Sequence, residues 1–310
     1  MNQSTLCFVV PIFNEEDCLP EMHRRLSEMR IAVRPEYEVS VIYVDDGSSD
    51  RSREILLELK GEADWVDVKF LTRNFGHQIA VTAGLDHAFA DFVAIIDGDL
   101  QDPPELVPEM IRQLRLNSDR IVFGQRRVRD GERKFKLWTA RVFYRLIRRL
   151  SGLDIPVDTG DFTVIDRRAA DVMRSLREHN RFLRGLAPWT GMKASSFLYD
   201  RDTRYAGETK YTLKKMFVLA FNAIVSFSTT PLRALQGLGI AIATLGLCGL
   251  IGSVLAPVFG QPISTLLTLL MFNTTTTGLL LAAIGIVGGY VHRIQDEVRG
   301  RPLYLLEENI

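Results

Sequence analysis

Up to about residue 125, apolar segments rich in β-branched residues alternate with segments of helical spacing. This alternation predicts an α/β domain with a largely parallel sheet, because a helix after each strand returns the chain to the end where the strand began. The predicted strands are "LCFVVPIF", "EVSVIYVDD", "VDVKFLTR", "DFVAIID" and "DRIVFGQ". The helices predicted between them are "EEDCLPEMHRRLSEMR", "SDRSREILLELK", "GHQIAVTAGLDHAFA" and "PPELVPEMIRQLRL".

Polar side chains stand where four of the predicted strands end. In open α/β sheets ligands bind at the carboxyl ends of the strands, so loops after neighbouring strands can form one pocket. A single polar loop is easily a turn with Asx capping, but four that converge favour a binding site. The loop residues are Asn14 and Glu15 after the first strand, Asp45, Asp46 and Gly47 after the second, Arg73, Asn74 and His77 after the third, and Asp97, Asp99 and Gln101 after the fourth.

The fourth loop has the spacing of a metal site. Asp97, Asp99 and Gln101 alternate, and in extended backbone alternate side chains project to the same side. Oxygen ligands suit Mg²⁺ or Mn²⁺, and an ion held by one or two carboxylates completes its coordination with phosphates and water. The spacing alone is weak evidence, because loop aspartates also cap the helix that follows. His77 is similarly ambiguous, and is more often a structural hydrogen-bonding residue than a catalyst.

The charge balance gives no reason to expect a nucleic-acid partner, because Lys plus Arg, 38, equals Asp plus Glu, 38. The three cysteines, Cys7, Cys18 and Cys248, show no paired spacing, so neither a disulfide framework nor a zinc site is indicated. The apolar run nearest the N-terminus, Leu6 to Phe13, is too short for a signal sequence. The N-terminal part is therefore expected in the cytosol.

From Ala234 to Val291 the sequence contains no Asp, Glu, Lys or Arg. Two apolar runs in this tract, Leu235 to Val258 and Ile263 to Tyr290, are each longer than the ~20 residues that span a bilayer. Basic residues flank the tract on both sides and are missing from the turn between the runs, which predicts that both termini are cytosolic. We therefore expect a multi-pass protein of the inner or plasma membrane with two helices. Buried helices of a soluble protein are the alternative.

Two basic segments precede the uncharged tract. A helix over "GERKFKLWTARVFYRLIRRLSGL" would carry arginines beside an apolar stripe, and "KYTLKKMFVLAFNAIVSFSTTPLR" has three lysines before an apolar body. Basic amphipathic helices suit an anionic lipid surface, and a solvated helix face is the alternative. The polar cluster "NTTTTG" in the second apolar run favours packing against another subunit, so a homo-oligomer is expected.

A family resemblance rests on six motifs in order: "VVPIFNEE", "VDDGSSDRS", "RNFGHQIAVTAGLDHA", "IIDGDLQDPPELVPEMI", "DTGDF" and "RYAGETKY". In these motifs the chain resembles the family-2 glycosyltransferases that load sugars onto polyprenyl phosphates, most of all the bactoprenol glucosyltransferase type, which is related to dolichyl-phosphate mannose synthase. The resemblance extends from Val9 to about Tyr304 and includes the closing motif "DEVRGRPLY". It implies an α/β fold of the GT-A class, Rossmann-like with a mostly parallel sheet, followed by a two-helix transmembrane hairpin.

The implied organisation has four parts. Residues 1-209 form a cytosolic GT-A glycosyltransferase domain, residues 210-233 an interfacial amphipathic region, residues 234-291 two transmembrane helices, and residues 292-310 a cytosolic C-terminal tail. The implied partners are a UDP-sugar donor, polyprenyl (undecaprenyl) phosphate as the acceptor, and the lipid bilayer. The implied cofactor is Mg²⁺ or Mn²⁺.

The resemblance also implies residue roles. By similarity, Asp97, Asp99 and Gln101 would place the metal and the diphosphate. The catalytic candidates are Asp97 and Asp99 together with Asp158 and Asp161 of "DTGDF". These last two would orient the acceptor or hydroxyls of the sugar, or else cap backbone groups in a turn.

Arg126 and Arg141 match positions that in relatives contact the acceptor phosphate. Relatives commonly have an alanine where this chain has Gly98, which implies a small loosening that leaves the ligands unchanged. The residues implied in binding the nucleotide sugar are Pro11, Asn14, Glu15, Asp45, Asp46, Gly47, Arg73, Asn74, Arg204 and Lys210.

The function implied is the inverting transfer of a hexose to polyprenyl phosphate by direct displacement, with glucose from UDP-glucose as the leading donor. The same reaction with GDP-mannose, UDP-GlcNAc or a UDP-aminoarabinose derivative is the alternative. A non-catalytic membrane scaffold would make no use of the aspartate pair. A processive polysaccharide synthase is disfavoured because its QxxRW motif is missing, and a soluble nucleotidyltransferase is disfavoured by the apolar runs.

Overall fold

The computed structural model describes residues 3–127, 159–179, 181, 185, 186, 189–200, 241 and 265–307. Several features predicted from the sequence lie outside these residues. They are Arg141, Asp158, Arg204, Lys210, the two basic segments before the uncharged tract, and the first apolar run of that tract, Leu235 to Val258, apart from residue 241.

The described residues form seven strands and six α-helices. The strands are β1 (Ser4–Ile12), β2 (Tyr37–Asp45), β3 (Val66–Phe70), β4 (Phe92–Ile95), β5 (Ile121–Arg126), β6 (Thr159–Asp166) and β7 (Ala194–Tyr199). The helices are α1 (Leu19–Val33), α2 (Ser52–Glu62), α3 (His77–His87), α4 (Val107–Asn117), α5 (Arg167–Ser175) and α6 (Thr265–Arg299), and a 3₁₀ turn at Pro104–Leu106 precedes α4.

The seven strands form one mixed sheet in the order β3-β2-β1-β4-β6-β5-β7. Four of the six neighbouring pairs are parallel, and only the two pairs that involve β6 are antiparallel. The predicted GT-A-like α/β fold with a mostly parallel sheet is therefore confirmed. The five strands and four helices predicted before residue 126 all appear, in the predicted order.

Strand β6 was not predicted, and it brings a distant segment beside β4. Ile95, the last residue of β4, pairs with Thr163 of β6 in antiparallel register. Continuing that register by two residues brings Asp97 opposite Asp161. The antiparallel strand therefore begins at the end of the sheet where the parallel strands β1, β2 and β4 finish.

The core explains why β1 is central. Strand β1 is buried from Leu6 to Ile12, because helices cover both faces of the sheet. Side chains of β1 pack in one cluster with the buried residues of α1 and α4, whose apolar positions recur every three or four residues. The buried residues of α3 lie outside that cluster, and α3 contacts β1 and β2.

The chain divides into two compact units. The first contains all seven strands together with the last described residues, 302–307, and the second contains residues 265–301. Every site discussed below belongs to the first unit.

The predicted membrane hairpin is contradicted. In the parts of the chain that the structure describes, no helix is long and apolar enough to cross a membrane. Residues 265–290 of the second apolar run lie in α6, with Asn273 and the threonines 274–277 among them, and α6 ends in the charged segment 292–299. The prediction of a two-span protein of the inner or plasma membrane is therefore wrong on this finding.

Candidate active site

The carboxyl ends of β1, β2, β3 and β4 meet at one end of the sheet, as the sequence predicted. β1 pairs in parallel with both β2 and β4, with Ile12 opposite Asp45, and β2 pairs in parallel with β3. Loops that follow parallel neighbours lie side by side. The four polar loops therefore share this end of the sheet, which we call the carboxyl end.

Three side chains from different elements meet just beyond β4. Nε2 of His77, the first residue of α3, lies 2.8 Å from Oδ2 of Asp161 and 3.5 Å from Oδ1 of Asp97. One ligand atom from each of the three lies within 4.8 Å of the others, which is close enough for one metal ion. Gln78 adds a hydrogen bond to Oδ2 of Asp161 at 3.4 Å. The sequence left the role of His77 ambiguous between structure and catalysis, and did not connect His77 with Asp161.

The electrostatics of this cluster favour a cation. The pKa of Asp97 is raised to about 7, chiefly by burial, and the negative charges of Asp161, Asp102 and Asp99 add to the rise while His77 opposes it. Within the described residues, Oδ1 of Asp97 is a buried atom that has no hydrogen-bond partner. A carboxylate oxygen left in this state is costly unless a positive charge neutralises it, so these residues fit a divalent ion.

The segment from Asp97 to Gln101 is a turn rather than the extended chain that was predicted. The backbone turns at Gly98 and Asp99, Leu100 has a left-handed φ of 61°, and the backbone N–H of Gln101 donates to Oδ1 of Asp99 at 3.2 Å. The alternation of Asp97, Asp99 and Gln101 therefore does not project the three side chains along one strand. Their joint role as metal ligands remains a prediction.

The glycine between the two aspartates fits its surroundings closely. A Cβ at Gly98 would lie 2.7 Å from Cδ1 of Ile12 and 3.3 Å from the carbonyl oxygen of Pro11. The first contact is with the far end of the Ile12 side chain, which can rotate away, and the second would require a shift of only a few tenths of an ångström. The turn after β4 therefore packs directly on the end of β1, and the small loosening expected at Gly98 stays a prediction.

The loop after β2 is tied to the loop after β3. The carboxylate of Asp46 accepts the backbone N–H groups of Phe75 at 2.7 Å and Gly76 at 2.9 Å. The neighbouring carboxylate of Asp45 accepts the backbone N–H of Ser48 at 3.2 Å. Burial raises the pKa of both aspartates, and these hydrogen bonds oppose the rise. Asp46 thus fixes the shape of the two loops.

The loop after β1 is tied to the loop after β2. Asn14, at a left-handed φ of 55°, donates its backbone N–H to Oγ of Ser48 at 2.9 Å and accepts the N–H of Ser49 at its Oδ1 at 2.8 Å. The backbone N–H of Glu15 donates to Oγ of Ser52 at 3.0 Å. Three consecutive loops therefore form one hydrogen-bonded surface, since the second is bonded to both the first and the third.

The remaining described residues that were predicted to bind the nucleotide sugar differ in exposure. Pro11 is buried in β1, whereas Arg73 and Asn74 are exposed. The Arg73 guanidinium lies over the ring of Phe75, 4.0 Å from its centroid. Gly47 stands against this loop, since a Cβ there would lie 2.8 Å from backbone atoms of both Arg73 and Asn74.

Arg126, at the end of β5, belongs to a network that the sequence did not reveal. Its Nε donates to the hydroxyl of Tyr199 at 3.4 Å, and that hydroxyl donates to Oδ1 of Asp102 at 2.5 Å. Nη2 of Arg126 lies 3.9 Å from the same carboxylate oxygen. Asp102 is fully buried and Tyr199 is 3 % exposed, while the Arg126 side chain is 29 % exposed. Two buried groups thus orient one accessible arginine.

Comparison with known proteins identifies a family. Residues 7–174 match the family described as "Glycosyl transferase family 2". The uncharacterized glycosyltransferase YkcC of Bacillus subtilis is 41% identical over 97% of this chain and 93% of its own. The SfII prophage-derived bactoprenol glucosyl transferase of Shigella flexneri is 35% identical over 98% of each chain. Among solved structures, mannosyl-3-phosphoglycerate synthase of Rubrobacter xylanophilus is 19% identical over 76% of this chain and 75% of that one, with a TM-score of 0.49.

Proposed function

The chain belongs to glycosyltransferase family 2, and we propose that it transfers a hexose, glucose from UDP-glucose, to a polyprenyl phosphate with inversion at the anomeric carbon. The observation that carries the proposal is the meeting of Asp97, Asp161 and His77 at the carboxyl end of the sheet, where β2 also ends at Asp45. Full-length similarity to proteins named bactoprenol glucosyl transferase supports the acceptor class and the sugar.

The donor is proposed to lie across the three bonded loops. The nucleoside would be held by Asp45 and by the loop that contains Pro11, Asn14 and Glu15. Asp46 and Gly47 would act by fixing the loop shape, because Asp46 bonds two backbone N–H groups of the next loop. The remaining residues proposed for the donor are Arg73 and Asn74 and, outside the described residues, Arg204 and Lys210.

A divalent ion, Mg²⁺ or Mn²⁺, is proposed to bind Asp97 and Asp99 with help from Gln101. The buried oxygen of Asp97 and the excess of carboxylates around it support this choice. When bound, such an ion would neutralise charge on the leaving diphosphate. His77 and Asp161 would then hold Asp97 in place through the contacts of 3.5 Å and 2.8 Å that link the three residues.

The acceptor phosphate is proposed to contact Arg126, and Arg141 from outside the described residues. Arg126 is accessible and is oriented from behind by Tyr199 and Asp102. A phosphate monoester is already ionised near neutral pH, so a strong general base is less necessary than for a hydroxyl acceptor. Positioning of the two substrates and stabilisation of charge would therefore carry the rate. Asp158 and Asp161 would orient acceptor or sugar.

The test is direct transfer of label. The purified protein is incubated in detergent with undecaprenyl phosphate, Mg²⁺ or Mn²⁺, and one of four labelled donors: UDP-glucose, UDP-GlcNAc, GDP-mannose or a UDP-aminoarabinose derivative. Label in the organic phase from UDP-glucose supports the proposal in full. Label from another donor alone would replace the sugar and keep the reaction class, whereas no labelled lipid from any donor would overturn it.

A matched pair of variants links the activity to the site. Asp99→Asn is expected to lose at least about 100-fold in rate, because an amide is a much weaker ligand for Mg²⁺ than a carboxylate. Asp64→Asn makes the same chemical change at an exposed position before β3, at the opposite end of the sheet, and should keep wild-type activity. Equal activity in the two variants would indicate a function that does not use the aspartate pair.

A further inference from the structure

The end of the closing motif packs on the donor side of the first unit. Residues 304–307, which we call the C-terminal segment, run antiparallel to the chain just after β3. Their sequence, "YLLE", follows "DEVRGRPL" and is as apolar as a short strand. The backbone contacts are a bridge between Leu71 and Leu306, a hydrogen bond from the N–H of Thr72 to the carbonyl of Leu305 at 3.0 Å, and one from the N–H of Glu307 to the carbonyl of Phe70 at 2.9 Å.

Side chains reinforce this pairing at both ends of the segment. Glu307 accepts two hydrogen bonds from the guanidinium of Arg53 in α2, at 3.0 Å and 2.5 Å. The same guanidinium lies over the ring of Phe70, 4.7 Å from its centroid. At the other end, the hydroxyl of Tyr304 donates to Oδ2 of Asp86 in α3 at 2.9 Å. Bidentate pairs between Arg and a carboxylate fix orientation as well as distance.

The stretch held by the C-terminal segment is also bonded to β2. The backbone N–H of Leu71 donates to the carbonyl of Asp45 at 2.9 Å. The residues after β3 therefore lie between Asp45 on one side and the C-terminal segment on the other. The chain then continues directly into Arg73 and Asn74, whose loop is bonded by Asp46 and abuts Gly47.

Arg53 also acts on Asp45 electrostatically. Burial raises the pKa of the Asp45 carboxyl, and the positive charge of Arg53 opposes that rise, as does the hydrogen bond from Ser48. An arginine that is free to turn toward water would exert less of this effect, because the interaction falls with distance and with solvent screening. The hydrogen bonds from Glu307 keep the Arg53 guanidinium over the ring of Phe70.

We propose that Glu307 is a positioning residue for the donor nucleotide. It holds Arg53 and the C-terminal segment against the end of β3. This keeps Asp45 and the loop of residues 73–76 in the arrangement that binds the nucleoside diphosphate. The inference rests on the proposed function, since it takes the donor site to lie on these loops. A site ordered before binding spends less free energy on ordering its loops when the ligand arrives.

The experiment measures binding of UDP, and separately of GDP, to the full-length protein by calorimetry in the presence of Mn²⁺. Glu307→Gln keeps the size of the side chain and removes the charge, and should raise the Kd for UDP by about two- to fivefold, the range of a partly exposed ion pair. In the transfer assay the KM for the donor should rise by the same factor, while kcat and the KM for undecaprenyl phosphate stay unchanged. A residue with only a structural role would not produce that split.

The matched control is Glu54→Gln. Glu54 is an exposed glutamate on α2, the helix that also contains Arg53, and it pairs with Arg51 at 3.4 Å. This variant should leave the Kd for UDP unchanged. A double variant exchanges the partners, Arg53→Glu with Glu307→Arg. The exchanged pair should restore the melting temperature lost in Glu307→Gln, but not UDP affinity, because a negative charge now faces Asp45.

The outcomes separate this inference from the proposed function. If the wild-type protein binds neither UDP nor GDP, the proposed function fails and the inference fails with it. If the wild type binds the nucleotide and Glu307→Gln binds it equally well, only the inference is overturned. Recovery of nucleotide affinity in the exchanged pair would also overturn it, since positioning through the charge of Arg53 would then be unnecessary.

Discussion

The imidazole of His77 is hydrogen-bonded to Asp161, with Nε2 2.8 Å from Oδ2, and it also lies 3.5 Å from Oδ1 of Asp97. One side chain at the start of α3 thereby links the end of β4 to the start of β6. Two carboxylates this close repel each other unless a cation or a hydrogen-bond donor lies between them. His77 supplies such a donor to Asp161 only, and Oδ1 of Asp97 has no hydrogen-bond partner within the described residues.

Replacement of His77 by alanine should lower the transfer rate by about 10- to 100-fold, which corresponds to the ~1–3 kcal/mol expected when a buried polar group loses its partner. The control is His87→Ala at the other end of the same helix, where Nδ1 lies 2.8 Å from the carbonyl oxygen of Ala83. That variant should keep its rate after correction for the folded fraction. Initial rates with the labelled donor measure both, and equal rates would remove His77 from the site.

Removal of divalent metal should abolish transfer, and readdition of Mg²⁺ or Mn²⁺ should restore it. A readout that does not depend on activity is the melting temperature, because a ligand present at 100 times its Kd stabilises the folded state by about 2.7 kcal/mol. Mn²⁺ should therefore raise the melting temperature of the wild type and of Asp64→Asn, and have little effect on Asp97→Asn. A similar rise in all three proteins would place the ion elsewhere.

Tyr199→Phe should weaken the acceptor side of the reaction. The change removes the hydroxyl that donates to the buried Asp102 and accepts from Arg126, so the guanidinium loses part of its support. We expect a cost of about 1–3 kcal/mol in unfolding free energy and a higher KM for undecaprenyl phosphate, with the donor KM unchanged. Kinetics with each substrate varied in turn make the distinction.

Tyr304→Phe is the control for that variant, because it also deletes a hydroxyl that donates to an aspartate, Asp86, away from Arg126. The two variants are compared at equal folded fraction, set by their denaturation curves. An acceptor KM that rises equally in both variants would show that loss of stability, and not the orientation of Arg126, is responsible.

The fold was predictable where local pattern decides structure. Before residue 126, strands with apolar β-branched residues alternate with helices of regular apolar spacing, and β1 to β5 appear where predicted. The third strand was predicted to run to Arg73 but ends at Phe70. Leu71 and Thr72 pair instead with the C-terminal segment, which is more than 200 residues away in sequence. No local pattern contains that contact.

Strands β6 and β7 were missed for a related reason. β6 begins at Thr159, inside the motif "DTGDF", whose aspartates are typical of a turn, and its partners β4 and β5 precede it by a long stretch of chain. The close approach of His77 to Asp161 depends on that pairing, as the contact between Tyr199 and Asp102 depends on β7. Residue types and strand ends pointed to the candidate site, whereas its non-local hydrogen bonds required the structure.

Gly47→Ala should damage the donor site through the backbone. Gly47 has a φ of +71°, which L residues rarely adopt, and a Cβ would lie 2.8 Å from backbone atoms of Arg73 and Asn74. Those atoms cannot withdraw freely, because Asp46 bonds the same loop. We expect a loss of about 1–3 kcal/mol in unfolding free energy and weaker UDP binding, measured by chemical denaturation and calorimetry.

Gly61→Ala is the matched control, since a Cβ there meets nothing within 4 Å and the residue lies in α2. Alanine has the higher helix propensity, so this variant should gain up to about 1 kcal/mol and bind UDP as the wild type does. The two substitutions add the same methyl group, and the difference between them isolates the effect of backbone conformation and close contact. Equal stability and equal UDP affinity in both variants would mean that the loop after β2 can rearrange without affecting the donor site.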